Sequence, residues 1–162
     1  MRRRFLLVSL LAVSACGATQ AGAHGTASGI WACADSASPS TVVHQYTHAP
    51  ADVGNQHEPA GSTALLCGTS GYGFRHILRR HEGDWSHVAA GDWSTTADAA
   101  VATALGQPER VGYRASNDTF CYSHGLPDGE VTTVVIRPSD GAIITAYPGT
   151  HQCDEGATAA DG

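Results

Sequence analysis

From Arg110 to Tyr147 the sequence keeps a period of two, and that run limits the fold more than any other feature. Four segments, Arg110 to Ala115, Thr119 to His124, Val131 to Arg137 and Ala142 to Tyr147, are rich in strand-favouring residues. The clusters Ser116-Asn117-Asp118, Pro127-Asp128-Gly129 and Pro138-Ser139-Asp140-Gly141 separate them. Turns this short join antiparallel neighbours, so a four-stranded meander is expected. Alternation places Val134, Ile136, Ile144 and Ala146 beneath the helices, with Thr133, Val135, Arg137, Ile143, Thr145 and Tyr147 on the other face. That second face is either ordinary solvent-side strand or the lining of a phosphate-binding cleft.

Upstream the period is helical. Phe74, Ile77 and Leu78 recur at helical spacing, after Gly71 and Gly73 and before Gly83, which predicts a helix of two to three turns ending near Gly83. His76 and Arg80, four residues apart, share one face where they can grip a phosphate. His81 follows five steps of about 100° after His76, so on an ideal helix the two lie about 140° apart and His81 falls among the apolar residues, whereas a helix that stops near Arg80, as Gly83 permits, frees His81 to turn. Glu82 and Asp84 either orient an imidazole or face solvent, and Trp85 and Trp93 either stack on a base or close a small core. A second helix is expected with Ser94 or Thr95 as cap, Asp98 as its capping-box partner, Val101, Ala104 and Leu105 as its apolar stripe, and Gly106 and Pro108 as its end.

The amino terminus carries Arg2, Arg3 and Arg4 before an eleven-residue apolar run, Phe5 to Ala15, too short to span a bilayer and typical of a secretory signal over 1–23. Val13-Ser14-Ala15-Cys16 resembles a lipobox that would lipidate Cys16, whereas Ala21-Gly22-Ala23 offers ordinary cleavage before His24. Either route leads out of the cytoplasm, secreted or lipid-anchored at the surface, with the anchor as the sole membrane contact. Beyond it stand Cys33, Cys67, Cys121 and Cys153, an even number in an exported chain, which reads as two disulfides. Three connectivities are open, among them a Cys67 to Cys121 staple.

Nine basic residues less the three of the leader leave six against 15 acidic ones, a charge of about −9 with no lysine. This balance excludes broad electrostatic attraction to nucleic acid and leaves room only for a small positive site. Residues 24–62, rich in Gly, Ala, Ser and Pro, read as a loop-rich lead-in. His44, His48 and His57 within it lack a matching carboxylate or cysteine cluster, so no metal and no cofactor is assigned. The expected architecture is α+β: the lead-in, then over 63–153 two helices followed by the four-stranded antiparallel meander, disulfide-stapled, with a flexible tail at 154–162.

The order of elements, with His76-Ile77-Leu78-Arg79-Arg80-His81 on the first helix and Ile143-Ile144-Thr145-Ala146-Tyr147-Pro148 on the last strand, resembles the barnase, EndoU, colicin and RelE-like ribonuclease superfamily, in particular the nuclease domains of bacterial polymorphic toxins. The similarity covers about residues 67–150. The acidic balance, the absence of lysine and the chain's own export signal depart from a toxin tip carried by a larger protein. The resemblance implies metal-independent RNA cleavage to a 2′,3′-cyclic phosphate and a 5′-hydroxyl, which needs a base, an acid and groups that hold charge on phosphorus. It assigns acid and base work to His76 and His81, phosphate stabilisation to Arg80 and positioning to Thr145 and Tyr147. Arg75, Arg79 and Arg137 are candidate substrate contacts, with Arg137 and His124 as reserves for the chemistry. The implied partners are an RNA substrate and a cognate inhibitor protein. A non-catalytic exported binding module, or a lipoprotein using the same cleft, is the alternative, and a metal-dependent hydrolase would be recognised by chelator sensitivity.

Overall fold

The computed structural model describes residues 31–153. The expected leader at 1–23 with Cys16 and the expected tail at 154–162 lie outside them.

The lead-in is built into the fold. It supplies β1 (Val42–His48), the hairpin strands β2 (Ala51–Val53) and β3 (Gln56–Glu58), and the start of β4 (Gly61–Leu66). Then come α1 (Phe74–Val88), α2 (Trp93–Gly106), β5 (Arg110–Arg114), β6 (Thr119–Gly125), β7 (Val131–Arg137) and β8 (Ala142–Gly149). The main sheet has six strands in the order β1-β4-β8-β7-β6-β5, and β2 and β3 form a separate two-stranded sheet. The expected four-stranded antiparallel meander with a loop-rich lead-in is therefore corrected: β5 to β8 form the meander, but β4 joins β8 in parallel, making the sheet mixed. The inner positions of β1 carry no aliphatic strand signature. Tyr46 and His48 are buried while Gln45 and Thr47 are exposed, so the strand alternates with aromatic bodies carrying polar tips rather than with aliphatic side chains.

Both helices cover one face of the sheet over a core that includes Ile77, Trp85, Val101, Leu105, Tyr122, Val134, Ile136 and Ile143. The helix α1 continues through Gly83 for 15 residues, because Trp85 beyond it is completely buried and donates its indole N–H to the Ala146 carbonyl at 3.0 Å. Trp93 is core as well. The cap of α2 is Asp92, whose carboxylate accepts from the Thr95 N–H at 2.8 Å and from both the Ser94 and Thr95 hydroxyls. Asp98 faces the core side instead, accepting from Trp31 at 3.0 Å and Tyr46 at 2.6 Å.

Two features position the candidate site. The β4–β8 register consists of one pair, Ala64 with Ala142, which leaves the rest of that edge of β8 open. There β8 also carries a bulge: Val135 faces Thr145, but Ile136 faces Ile143, so Ile144 is the extra residue. Its carbonyl accepts the Gly73 N–H at 2.9 Å, which docks the start of α1 against the open edge. The bulge also reverses the expected faces of one pair. Ile143 enters the core and Ile144 does not, whereas Thr145 and Tyr147 keep their place on the outer face.

The disulfides join Cys33 to Cys67 and Cys121 to Cys153, not Cys67 to Cys121. The first pins the segment before β1 to the approach of α1, and the second carries the chain after β8 back across the outer face of β6, where the Cys153 N–H donates to the Ser123 hydroxyl at 3.0 Å.

Candidate active site

Because α1 runs along the open edge of β8, the stripe of the helix that carries Ile77, His81 and Trp85 faces that strand. His81 stacks on the Tyr147 ring with centroids 5.0 Å apart, and the His76 and His81 rings meet edge to face at 5.6 Å. The expected separation of these two histidines is thus overturned. The angle between Cα directions does not keep the rings apart, because the His81 ring is held on Tyr147 at the sheet edge and the His76 ring reaches it there.

Each imidazole is held through the same nitrogen. Nδ1 of His76 lies 2.9 Å from the Ser70 carbonyl, which can only accept, so that nitrogen carries the proton. Nδ1 of His81 lies 3.1 Å from the Asp84 carboxylate. Both rings therefore present Nε2 for chemistry, the arrangement expected of a proton-transferring histidine. Burial holds His81 below the usual histidine range, helped by the charges of His76 and Arg80 and opposed by Asp84. At neutral pH it is uncharged.

Beneath the histidines lies a polar strip of β7 and β8. Thr133 faces Tyr147 and Val135 faces Thr145 across the two strands. Burial pushes the Tyr147 phenol above its ordinary range, while the Arg114 charge and the Thr133 hydroxyl draw it down, so it remains a protonated donor at neutral pH. The Thr145 hydroxyl is buried without a hydrogen-bond partner. An orphaned hydroxyl costs stability, and in a folded protein it asks for an explanation.

The arginines sort differently from expectation. Arg75 is a structural clamp: its guanidinium donates to the carbonyls of Gly68, Ala34, Asp35 and Ala37 at 2.9–3.1 Å, tying the Cys33 segment to α1. Arg79 and Arg80 are exposed on α1, and Arg80 acts on the site through its charge on His81. Arg114, which sequence reasoning missed, is the arginine whose charge reaches Tyr147. Its signal was available in the alternation of β5, which puts Arg110 and Arg114 on the same face as Thr133 and Tyr147. Arg137 forms a two-point ion pair with Asp140 at 3.0 and 2.6 Å and lies over the Tyr72 ring. His124 is on the opposite face, bonded to the Gln107 carbonyl at 2.8 Å.

Among the described residues no group of three or more His, Cys, Asp or Glu side chains is placed to hold a metal ion. His44 stacks on Tyr46 and faces Asp98 at 3.5 Å, His48 is buried 3.8 Å from Glu58, and His57 pairs with Asp52 at 2.6 Å.

No family model matches the chain. It is similar to two curated proteins of Mycobacterium tuberculosis, uncharacterized protein MT0764 of strain CDC 1551 / Oshkosh and uncharacterized protein Rv0739 of strain ATCC 25618 / H37Rv. Each is 40% identical over 134 residues, covering 75% of this chain and 50% of the relative. The chain spans about half the length of these relatives.

Proposed function

We propose that the protein is an exported endoribonuclease of toxin type that cleaves RNA without a metal ion, by attack of a ribose 2′-hydroxyl on the adjacent phosphorus. The observation that carries this reading is the meeting of His76, His81 and Tyr147 on one sheet edge, above the orphaned Thr145 hydroxyl. In the proposed step His81 Nε2 takes the 2′-proton as the oxygen bonds to phosphorus. His76 gives a proton to the 5′-oxygen as its bond to phosphorus breaks, leaving a 2′,3′-cyclic phosphate and a 5′-hydroxyl. The Thr145 hydroxyl and the Tyr147 phenol donate to the oxygens that gain charge, and Arg114 supplies the cation that Arg80, out on the helix, is less well placed to supply. Export, anchoring at Cys16 or release after cleavage before His24, and protection of the producer by an inhibitor protein belong to the same proposal.

The test is incubation of the disulfide-intact protein with mixed cellular RNA in EDTA, beside His76→Ala and His81→Ala variants of unchanged melting temperature. Cleavage that survives EDTA, leaves cyclic-phosphate ends and falls by about 100-fold or more in each variant is expected, from the size of acid–base contributions. RNA left intact by folded wild type, with and without divalent metal, would sink the proposal.

A further inference from the structure

At one end of the same strip Arg137 meets Tyr72. Tyr72 precedes α1, half-buried, and is fixed by a bridge in which its carbonyl accepts the Thr69 N–H at 2.9 Å. The Arg137 guanidinium lies 5.7 Å from the centre of its ring, within the range of a cation–π contact. Asp140 holds Arg137 through both a guanidinium N–H pair and a second fixed point, since the same carboxylate also accepts the Ala142 N–H at 3.2 Å. Asp140 thus holds the guanidinium over the Tyr72 ring at the rim of the outer face.

Charge decides what such a surface can take. The Asp140 carboxylate offsets the Arg137 cation, so the pair has little net attraction for a phosphate. What it offers is π surface, and a nucleobase has a matching face whatever its identity. Position agrees. Arg137 is two residues along β7 from Val135, which faces Thr145, and two strand residues span about 6.6 Å. A phosphate over Thr145 and Tyr147 therefore leaves the neighbouring nucleoside within reach of Tyr72.

We propose that Tyr72 and Arg137 form a stacking platform for one unpaired nucleobase next to the phosphate that is cleaved. The inference rests on the ribonuclease reading and narrows it: a base buried in a duplex cannot reach the platform, so the substrate is single-stranded RNA or an unpaired loop.

The experiment separates the platform from the cleavage chemistry by using a fluorescein-labelled single-stranded 2′-O-methyl octanucleotide of mixed sequence, which lacks the attacking hydroxyl. Binding is followed by fluorescence anisotropy for wild type, Tyr72→Ala, Tyr72→Leu, Tyr72→Phe and Tyr72→Trp, each checked by melting temperature. Stacking on an aromatic side chain is worth about 1–3 kcal/mol per base, so Tyr72→Ala is expected to weaken binding by roughly 5- to 150-fold. Tyr72→Leu, which keeps apolar bulk without a π face, should lose a similar factor, whereas Tyr72→Phe and Tyr72→Trp stay close to wild type. The duplex form of the same oligonucleotide should bind wild type and Tyr72→Ala alike. Equal binding by wild type and Tyr72→Leu, an equal loss in Tyr72→Phe, or no binding by wild type overturns the platform. Wild type that cleaves RNA while Tyr72→Ala and Tyr72→Leu cleave it equally well overturns the platform and leaves the ribonuclease reading standing. Wild type that binds the octanucleotide through Tyr72 but cleaves no RNA does the reverse.

Discussion

His81 is the residue whose environment can be read most directly. Burial and the charges of His76 and Arg80 favour its neutral form, and Asp84 alone favours the charged one. Removing a group that disfavours the proton must raise the pKa, so His81 in His76→Gln is expected to titrate at higher pH than in wild type. In Asp84→Asn it should titrate lower. Titration of the imidazole by NMR checks both signs, and a shift in the opposite direction in either variant would remove His81 from the role of tuned base. Thr145 supports a second prediction of mixed sign. Its hydroxyl is buried and unpaired, so Thr145→Val removes an uncompensated polar group at almost unchanged shape and should stabilise the fold by about 1 kcal/mol. If the hydroxyl serves the phosphate, the same variant loses cleavage by about 10-fold or more. Thr132, the other orphaned hydroxyl, is the control: it neighbours Thr133 on β7 and so points to the opposite face. Thr132→Val should gain stability and keep activity, and chemical denaturation beside an RNA assay distinguishes the pair.

Among the elements, α1 does most to assemble the site, and its weak point is Gly83. A Cβ added there meets nothing within 4 Å, and the residue lies inside a continuous helix. Gly83→Ala should therefore stabilise the protein by roughly 0.5–1 kcal/mol, seen as a higher denaturation midpoint with cleavage retained. A loss of stability would mean that the helix does not run through Gly83. The same glycine shows where the sequence was legible and where it was not. Local signals placed α1 and α2, the four strands of the meander and the two motifs, because helical spacing and turn chemistry act over a few residues. Gly83 read as a stop because its local cost is visible, whereas Trp85, whose burial against Ala146 outweighs that cost, acts across 61 positions of sequence. Asp92, not Ser94 or Thr95, caps α2 because the choice depends on which side chain reaches the first N–H groups. The parallel pairing of Ala64 with Ala142 and the bulge at Ile144 are also non-local, and they are what opens the edge of β8 to α1, where His81 meets Tyr147. His76, His81, Thr145 and Tyr147 were nameable as candidates from sequence, whereas Arg114 was missed, and the contact of His81 with Tyr147 could not be read there.

At the scale of the molecule, the two disulfides hold the parts that the core does not. Cys33–Cys67 fastens the segment that Arg75 clamps to α1, and Cys121–Cys153 fastens the chain after β8 across the sheet. They span 34 and 32 positions, for which loop closure in the unfolded chain gives about 3–4 kcal/mol each. A domain of this size has a total stability of only about 5–15 kcal/mol, so losing both bridges removes a large share of it. Full reduction is expected to lower the melting temperature by tens of degrees or to unfold the protein at 37 °C. Cys33→Ala with Cys67→Ala, or Cys121→Ala with Cys153→Ala, should each give a folded protein of intermediate stability. Melting followed by circular dichroism, with and without a thiol-free reductant, tests this, and an unchanged transition after complete reduction would show that the core suffices alone. The consequence reaches function. On the proposed ribonuclease reading, activity lasts where both bridges persist, and a glutathione-rich compartment limits it to the time that reduction takes. RNA cleavage by the oxidised protein should therefore decay in reducing buffer in step with the loss of its disulfides, and cleavage that outlasts both bridges would separate activity from the oxidised fold.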